Sequence, residues 1–246
     1  VADREARRLS FGSVAADYDR YRPSPPPQAL DWLIPPGAAA VLDLAAGTGA
    51  VTRELIGRVT RVVAVEPDER MRTVLAARCP EAEVLAGCGE GIPLPSASVD
   101  GVLISSAWHW LNPERAVPEI TRVLRVGGTL GVIGMSWDSR VPWVAELNAL
   151  DRDPGEADRS AQSRHREVKF PPGAPLSEPE TFTLEYARSM TSEELVGLLG
   201  TYSGVITLDP ERRADFYRRV RTFLDRQDQV NLPMICRCLR SARLPG

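Results

Sequence analysis

Residues 40–45, Ala-Val-Leu-Asp-Leu-Ala, form a short apolar run that ends in a turn of small residues, Ala46-Gly47-Thr48-Gly49, and residues 50–57 then read as a helix. A second apolar run, 61–66, ends on Glu66, 23 residues beyond Asp43. The same rhythm continues. Asp68 is placed to cap a helix reaching about Arg78, a strand follows near 82–86, and Val99 to Ser105 is another. Pro113 opens a helix to about Leu124, and Gly127-Gly128 are expected to turn the chain into a strand at 129–135. Strand, helix, strand, helix in this order predicts a parallel sheet covered by helices on both faces.

The flanks are less regular. Leu9, Phe11, Val14, Ala15 and Tyr18 recur at helical spacing in a leader that Pro23, Pro25, Pro26 and Pro27 break. A second short helix is expected at about 28–34. From Asp138 to about Glu180 the pattern lapses: Asp151 to Arg164 is highly polar, and Pro171, Pro172, Pro175 and Pro179 follow. Past it, Phe182 to Ala187 reads as a strand, Thr191-Ser192-Glu193-Glu194 as a capping box, and Asp209-Pro210 as the start of a helix with Phe216, Val220, Phe223 and Leu224 on one face. Met234 to Leu239 is a last strand. The expectation is a single α/β domain over 1–246 with a Rossmann-like, seven-stranded, mostly parallel sheet. It would carry an N-terminal helical lid (1–34), a core (35–136), a cap inserted after strand five (137–180) and a C-terminal part (181–246).

A chain of 246 residues, 43% apolar and 26% charged, can bury an ample core without disulfides or metal. Its formal net charge of −3 offers no broad positive field to nucleic acid. Lys169 is the sole lysine, so arginine carries nearly all the positive charge. No apolar run is long enough for a membrane span, and Val1 to Arg8 is charged where a signal peptide would be apolar, so a cytoplasmic protein is expected. Cys236 and Cys238 would share one face of a strand. With Cys79, Cys88, His109 and His165 scattered elsewhere they form no recognisable metal-ligand spacing, and they read as packing residues.

The turn after the first strand carries the chemistry. Small residues let a ligand approach the backbone, and an acid closing the next strand can accept hydrogen bonds from ribose hydroxyls. A dinucleotide fingerprint wants glycine where Thr52 stands, and no phosphate loop of the G-x-x-x-x-G-K-[ST] kind is present. An acid at the turn, Asp43, would repel a pyrophosphate. It suits S-adenosylmethionine (SAM), which has no phosphates and carries an ammonium and a sulfonium.

Val41-Leu42-Asp43-Leu44-Ala45-Ala46-Gly47-Thr48-Gly49 resembles the first motif of the class I SAM-dependent methyltransferases. Val65-Glu66-Pro67 resembles their second element, and Gly87-Cys88-Gly89-Glu90-Gly91-Ile92-Pro93-Leu94 followed by Val99-Asp100 their third. Ala107-Trp108-His109-Trp110 and Arg122 to Gly128 match further elements, so the likeness covers roughly 8–136. It implies SAM as cofactor and S-adenosylhomocysteine as product. Cofactor contacts are expected from Asp43, Ala45, Gly47, Gly49, Glu66 and Pro67, and from Met71, Cys88, Gly89, Glu90 and Ser105. Two positions depart from the family. Ala45 replaces a glycine, so its backbone is expected to avoid positive φ. Cys88 replaces an adenine-contacting aspartate, leaving the backbone at Gly89 to make that contact. The leader from Phe11 to Pro23 resembles a lid in which Tyr18 and Arg22 close over the methionine end of SAM, Arg22 pairing with its carboxylate.

Four of the five tryptophans follow the ends of strands four and five: Trp108, Trp110, Trp137 and Trp143. With Tyr21 they are candidate walls of an aromatic acceptor pocket, or else packing for the cap. His109 among them is a candidate general base or a hydrogen-bonded structural histidine, and Tyr18 a second candidate for the chemistry. No Asn-Pro-Pro-Tyr tetrad and no Asp/Asn cluster for magnesium is evident, so no metal is expected. The sequence therefore points to methylation of a small molecule, a flat aromatic or indole-like compound of bacterial specialised metabolism, without nucleic acid or membrane as partner. An RNA or protein methyltransferase and a non-catalytic SAM-binding regulator are the alternatives, and oligomeric state is left open.

Overall fold

The computed structural model describes residues 10–150, 168–224 and 228–245. Leu9, the polar run Asp151–Arg164 and His165 lie outside them. Seven strands form one sheet in the order β3-β2-β1-β4-β5-β7-β6. They are β1 Ala40–Leu44, β2 Arg61–Glu66, β3 Glu83–Ala86, β4 Val99–Ser105, β5 Leu124–Trp137, β6 Glu180–Thr191 and β7 Gln229–Ala242. The helices are α1 Ala15–Tyr21, α2 Pro27–Leu33, α3 Ala50–Leu55, α4 Glu69–Arg78, α5 Pro113–Val123, α6 Pro142–Ala149, α7 Ser192–Gly200, α8 Ser203–Ile206 and α9 Pro210–Leu224. One-turn 3₁₀ helices cover Phe11–Val14 and Trp108–Trp110. The pairings β3–β2, β2–β1, β1–β4 and β4–β5 are all parallel. Strand order therefore reverses at β1, where the chain leaves for β2 on one side and β4 lies on the other. Beyond the carboxyl ends of such a pair is where open α/β sheets hold ligands.

The chain divides into two compact units. One comprises Pro23–Met135, His165–Leu184 and Cys236–Gly246, and holds β1 to β4 and most of β5. Its inner strands β1, β2 and β4 are nearly continuous buried runs because both faces are covered, whereas the edge strand β3 is not buried. Leu42, Leu44, Val63, Val65, Val102 and Ile104 are buried on the sheet, with Ala116, Val117 and Ile120 of α5 packed against them. Asn112 accepts from the Glu114 amide at the start of α5, and Asp68 accepts from the Arg70 amide at the start of α4. Cys236 and Cys238 are buried with their sulfurs 3.8 Å apart, and Cys79 is buried beside Leu75.

The other unit comprises Val1–Arg22, Ser136–Arg164 and Glu185–Ile235. In it α7 packs against α1 and α9. Thr191 and Glu194 form the expected capping box, and Phe216, Val220 and Leu224 are the buried stripe of α9. Ring packing fixes two glycines: a Cβ on Gly197 would lie 2.4 Å from the Tyr21 ring, and one on Gly200 2.5 Å from the Tyr217 hydroxyl.

Three expectations change. Gly127-Gly128 do not precede β5 but lie inside it, where the register to β4 shifts between Val99 and Gly101. Gly127 has φ +79°, and a Cβ on Gly128 would lie 2.8 Å from the Arg125 carbonyl and 2.9 Å from that of Asp100. The pair bends the strand as a bulge does. β6 and β7 run well past the apolar cores at 182–187 and 234–239, since backbone pairing continues where side chains turn polar. Residues 142–149, left unassigned in the cap, form α6 with Pro142 in its first turn.

Candidate functional site

Ala45, Gly47 and Gly49 all have positive φ, at 59°, 59° and 90°. The expectation that Ala45 avoids this region is corrected. Three positive-φ residues in five reverse the chain between β1 and α3, and the Ala46 amide then reaches the Val65 carbonyl at 3.1 Å. A left-handed alanine costs about 1–2 kcal/mol, which that surrounding hydrogen bonding holds in place. Gly49 is fixed by space as well as by φ, since a Cβ there would lie 2.4 Å from Leu75 Cδ1 and 3.1 Å from Cys79 Sγ.

Two acids flank the turn. The Glu66 carboxylate accepts from the Gly47 amide through Oε2 and from the Asp68 amide through Oε1, each at 2.9 Å. Arg72 Nη1 donates to the carbonyls of Glu66 and Pro67 at 3.0 and 2.7 Å, so the end of β2 is clamped from both sides. Glu66 is 7% exposed, and burial raises its pKa against those two amide bonds. Asp43 is 1% exposed and accepts from the Thr52 hydroxyl at 2.6 Å. Burial pushes its pKa up to about 7, with the Thr52 hydrogen bonds opposing and the neighbouring Glu66 charge adding to the rise.

The other expected cofactor positions of this unit sit on nearby elements. Pro67 is half-buried after β2, Met71 is buried in the first turn of α4, and Ser105 is half-buried at the end of β4. Cys88 bridges to Gly91, and a Cβ on Gly89 would meet Leu111 Cδ2 at 2.9 Å, so this loop is closely packed. The Glu90 carboxylate accepts from the Asn112 amide at 2.8 Å, which commits that oxygen to the start of α5. Trp108 is buried in the core, edge-on to Phe170 at 5.8 Å. His109 and Trp110 are half-buried with ring centroids 4.6 Å apart. The structure thus brings Asp43, Ala45, Gly47, Gly49 and Glu66 together around one turn.

Tyr18, Tyr21, Arg22, Trp137 and Trp143 belong to the other unit. Arg22 lies between two aromatic faces, its guanidinium carbon 5.0 Å from the Tyr18 centroid and 4.0 Å from that of Tyr202. It donates through Nε to Thr201 Oγ1 and through Nη2 to the Thr201 carbonyl, both at 2.9 Å. Trp137 is 5% exposed and meets Tyr202 edge-to-face at 5.7 Å. Tyr21 is covered by the Arg20 guanidinium at 5.1 Å, and Trp143 is half-buried on α6.

Sequence reasoning missed Thr52, Thr201 and Tyr202. Thr52 was open to detection, because it stands nine residues past Asp43 on the helix that the turn starts. Thr201 and Tyr202 lie about 180 residues from Arg22, and no spacing rule reaches that far.

Comparison with known proteins agrees with this geometry. A family profile described as "Methyltransferase domain" matches residues 42–132, the stretch from β1 into β5. An uncharacterized methyltransferase of Mycobacterium tuberculosis is 39% identical, over 98% of this chain and 98% of its own length. An uncharacterized methyltransferase-like protein of Schizosaccharomyces pombe is 30% identical, over 83% of this chain and 81% of its own. A solved structure from Anaeromyxobacter dehalogenans, provisionally described as a type II methyltransferase, superposes with a TM-score of 0.64 at 24% identity, covering 92% of this chain and all of that one. The last likeness concerns the fold alone.

Proposed function

The chain belongs to the class I SAM-dependent methyltransferase family, and from that premise we propose that it binds SAM at the β1 turn and methylates a small molecule, flat aromatic or indole-like in shape. The observation that carries the reading is Glu66. Each of its oxygens is held by one backbone amide and keeps a lone pair, so the carboxylate is fixed in place and can still accept from the hydroxyls of a vicinal diol. Pre-set acceptors of this kind bind without the cost of ordering a side chain. Asp43 supplies negative charge on the other side of the turn, which suits a ligand carrying an ammonium and a sulfonium. SAM supplies an activated methyl group, and the residues of this chain bind, align and exclude water. The formal net charge of −3 favours a small acceptor over nucleic acid.

The test is calorimetry with SAM and S-adenosylhomocysteine on the purified chain. Saturable binding with a raised melting temperature is expected, because a ligand selective for the native state stabilises it. Glu66→Ala is expected to weaken that binding by about 1–3 kcal/mol through lost charged hydrogen bonds. Tight NAD binding with no SAM binding would overturn the reading.

His109, on the 3₁₀ turn directly after β4, is our assignment for the group that takes the proton lost by the acceptor. A positioned base contributes about 100- to 10,000-fold, so His109→Ala is expected to lower kcat far more than it weakens SAM binding. Full kcat in that variant would leave alignment alone to carry the reaction.

A further inference from the structure

The two amides that hold the Glu66 carboxylate are themselves held, by different means. The Gly47 N–H shares a peptide plane with the Ala46 carbonyl, which accepts from the Gly49 amide at 2.9 Å, so the backbone of the turn sets that donor. The Asp68 N–H shares a plane with the Pro67 carbonyl, and this carbonyl accepts from Arg72 Nη1 at 2.7 Å. In a trans peptide the C=O and the N–H point in opposite directions. Drawing the Pro67 oxygen towards Arg72 therefore turns the Asp68 N–H towards Glu66 Oε1, which it reaches at 2.9 Å. The peptide between Glu66 and Pro67 has no N–H, so its carbonyl is its one hydrogen-bonding group, and the same Nη1 takes it at 3.0 Å. One guanidinium nitrogen thus ties both peptide units between the end of β2 and the cap of α4. Arg72 is the fourth residue of α4, where a cation lies against the helix dipole, and these bonds offset that cost. Its charge bears on the carboxylate as well. Burial is the largest influence on Glu66 and raises its pKa, while the Asp68 and Gly47 amides and the Arg72 charge act the other way.

We propose that Arg72 is a positioning residue for cofactor recognition, which acts through the Pro67–Asp68 peptide to hold the Glu66 carboxylate ready for the ribose diol. The inference rests on the reading of the β1 turn as a SAM site and adds a residue that works on Glu66 and not on the ligand. A carboxylate that can turn about its side-chain bonds gives up that freedom when it binds, whereas one already fixed does not. Without the guanidinium the Pro67 oxygen is released, the peptide plane can rotate, and Glu66 Oε1 loses its amide. Glu66 is then held on one oxygen only, by Gly47. The loss falls on the ribose hydroxyls, because they are what Glu66 receives. Nη1 suits the task because it carries two hydrogens, one for each carbonyl. A lysine ammonium has three hydrogens on one nitrogen and can serve the same two acceptors, so the conservative replacement is expected to substitute for it.

The experiment measures diol recognition directly. Adenosine and 2′,3′-dideoxyadenosine differ only in the two hydroxyls, and each is titrated against the full chain by ligand-observed NMR, with S-adenosylhomocysteine calorimetry alongside. Wild type is expected to favour adenosine by about 10- to 100-fold, the yield of charge-assisted hydrogen bonds to one carboxylate. Arg72→Met is expected to cut that ratio about 5- to 10-fold while dideoxyadenosine affinity stays within about twofold, since only the hydroxyl contacts weaken. Arg72→Lys is expected to restore the ratio. In a Glu66→Gln background Arg72→Met should cost little more, because the two residues act as one unit. An unchanged ratio in Arg72→Met, an equal loss for both nucleosides, or an effect that persists undiminished beside Glu66→Gln overturns the inference. So does a wild-type chain that does not distinguish the two nucleosides. The SAM reading fails separately: a chain that binds no S-adenosylhomocysteine, yet tells the nucleosides apart through Arg72, keeps this inference and loses that one. Saturable S-adenosylhomocysteine binding with a ratio indifferent to Arg72 does the reverse. Should Arg72→Met not fold, Arg72→Gln, shorter and uncharged, takes its place with an intermediate ratio expected, and a wild-type ratio there overturns the inference.

Discussion

Gly49→Ala is expected to lose about 2–5 kcal/mol of stability and to abolish SAM binding at ordinary concentrations, the sum of a left-handed residue with a side chain and an overpacked core. Both contributions are local. Gly49 holds φ at +90°, and its new Cβ would lie 2.4 Å from a methyl of Leu75 and 3.1 Å from the sulfur of Cys79. Leu75 and Cys79 are wholly buried with Ala46 and Ala64, so neither can swing into solvent to make room. Relief has to come from moving the turn, and the turn carries the Gly47 amide that orients Glu66. Gly57→Ala separates the two costs. Gly57 has φ +83° with nothing within 4 Å of its would-be Cβ, so this variant pays for conformation alone, about 1–2 kcal/mol. Urea denaturation of both variants, with S-adenosylhomocysteine calorimetry, checks the argument. Equal losses would show that the Leu75 contact yields freely and that crowding does not fix glycine at 49.

The parts of this site that were legible in the sequence are those built from near neighbours. Asp43, the small-residue turn and Glu66 lie within 24 residues on a strand, a helix and a strand, and parallel pairing of β1 with β2 places Asp43 opposite Ala64, two residues before Glu66. Periodicity and cap chemistry therefore placed Asp68 and Thr191 where they act and Pro113 at the start of α5. Two kinds of feature were hidden. Strand length was one: β5 extends back to Leu124 through a bulge, because Gly127 and Gly128 accept a backbone geometry that merely looks like a turn in sequence. Long-range partnership was the other. The environment of Arg22 is set by Thr201 and Tyr202, and that of Trp137 by Tyr202, each supplied by the link after α7. Both Trp108 and Trp137 were expected past a strand, yet Trp108 packs in a core after β4 while Trp137 closes β5 itself, its indole N–H without a hydrogen-bond partner among the described residues. Ala45 shows the reverse case. A residue-type rule argued against positive φ, and the hydrogen bonds of the turn, acting together, outweighed a one-methyl penalty.

Asp43→Asn is expected to make the ligand-free protein more stable at pH 8, by as much as about 4 kcal/mol relative to the same comparison at pH 4. The folded-state pKa of Asp43 is raised by burial from 3.8 to about 7. Between those values the folded chain holds a proton that the unfolded chain has released, so ν for the native state exceeds ν for the unfolded state and stability falls as pH rises. Below about pH 4 both states are protonated and the slope vanishes; above about pH 7 both are ionised and the full loss has been taken. Asparagine has no proton to release. Its amide oxygen can still accept from the Thr52 hydroxyl, so the variant keeps the buried hydrogen bond and omits the titration. Glu66 is also raised, but it is present in both proteins and its contribution cancels in the difference to first order. Chemical denaturation at intervals from pH 4 to pH 8 reads the effect directly: wild type and variant should diverge through the window and run parallel above it. SAM binding should respond with the opposite sign. An ionised Asp43 favours a cationic ligand, so wild-type affinity should strengthen towards pH 7, by up to about tenfold per unit, while the variant binds more weakly and with a flatter profile. A parallel pair of stability curves across the whole range would mean that Asp43 titrates normally, and that its buried negative charge is already compensated before any ligand arrives.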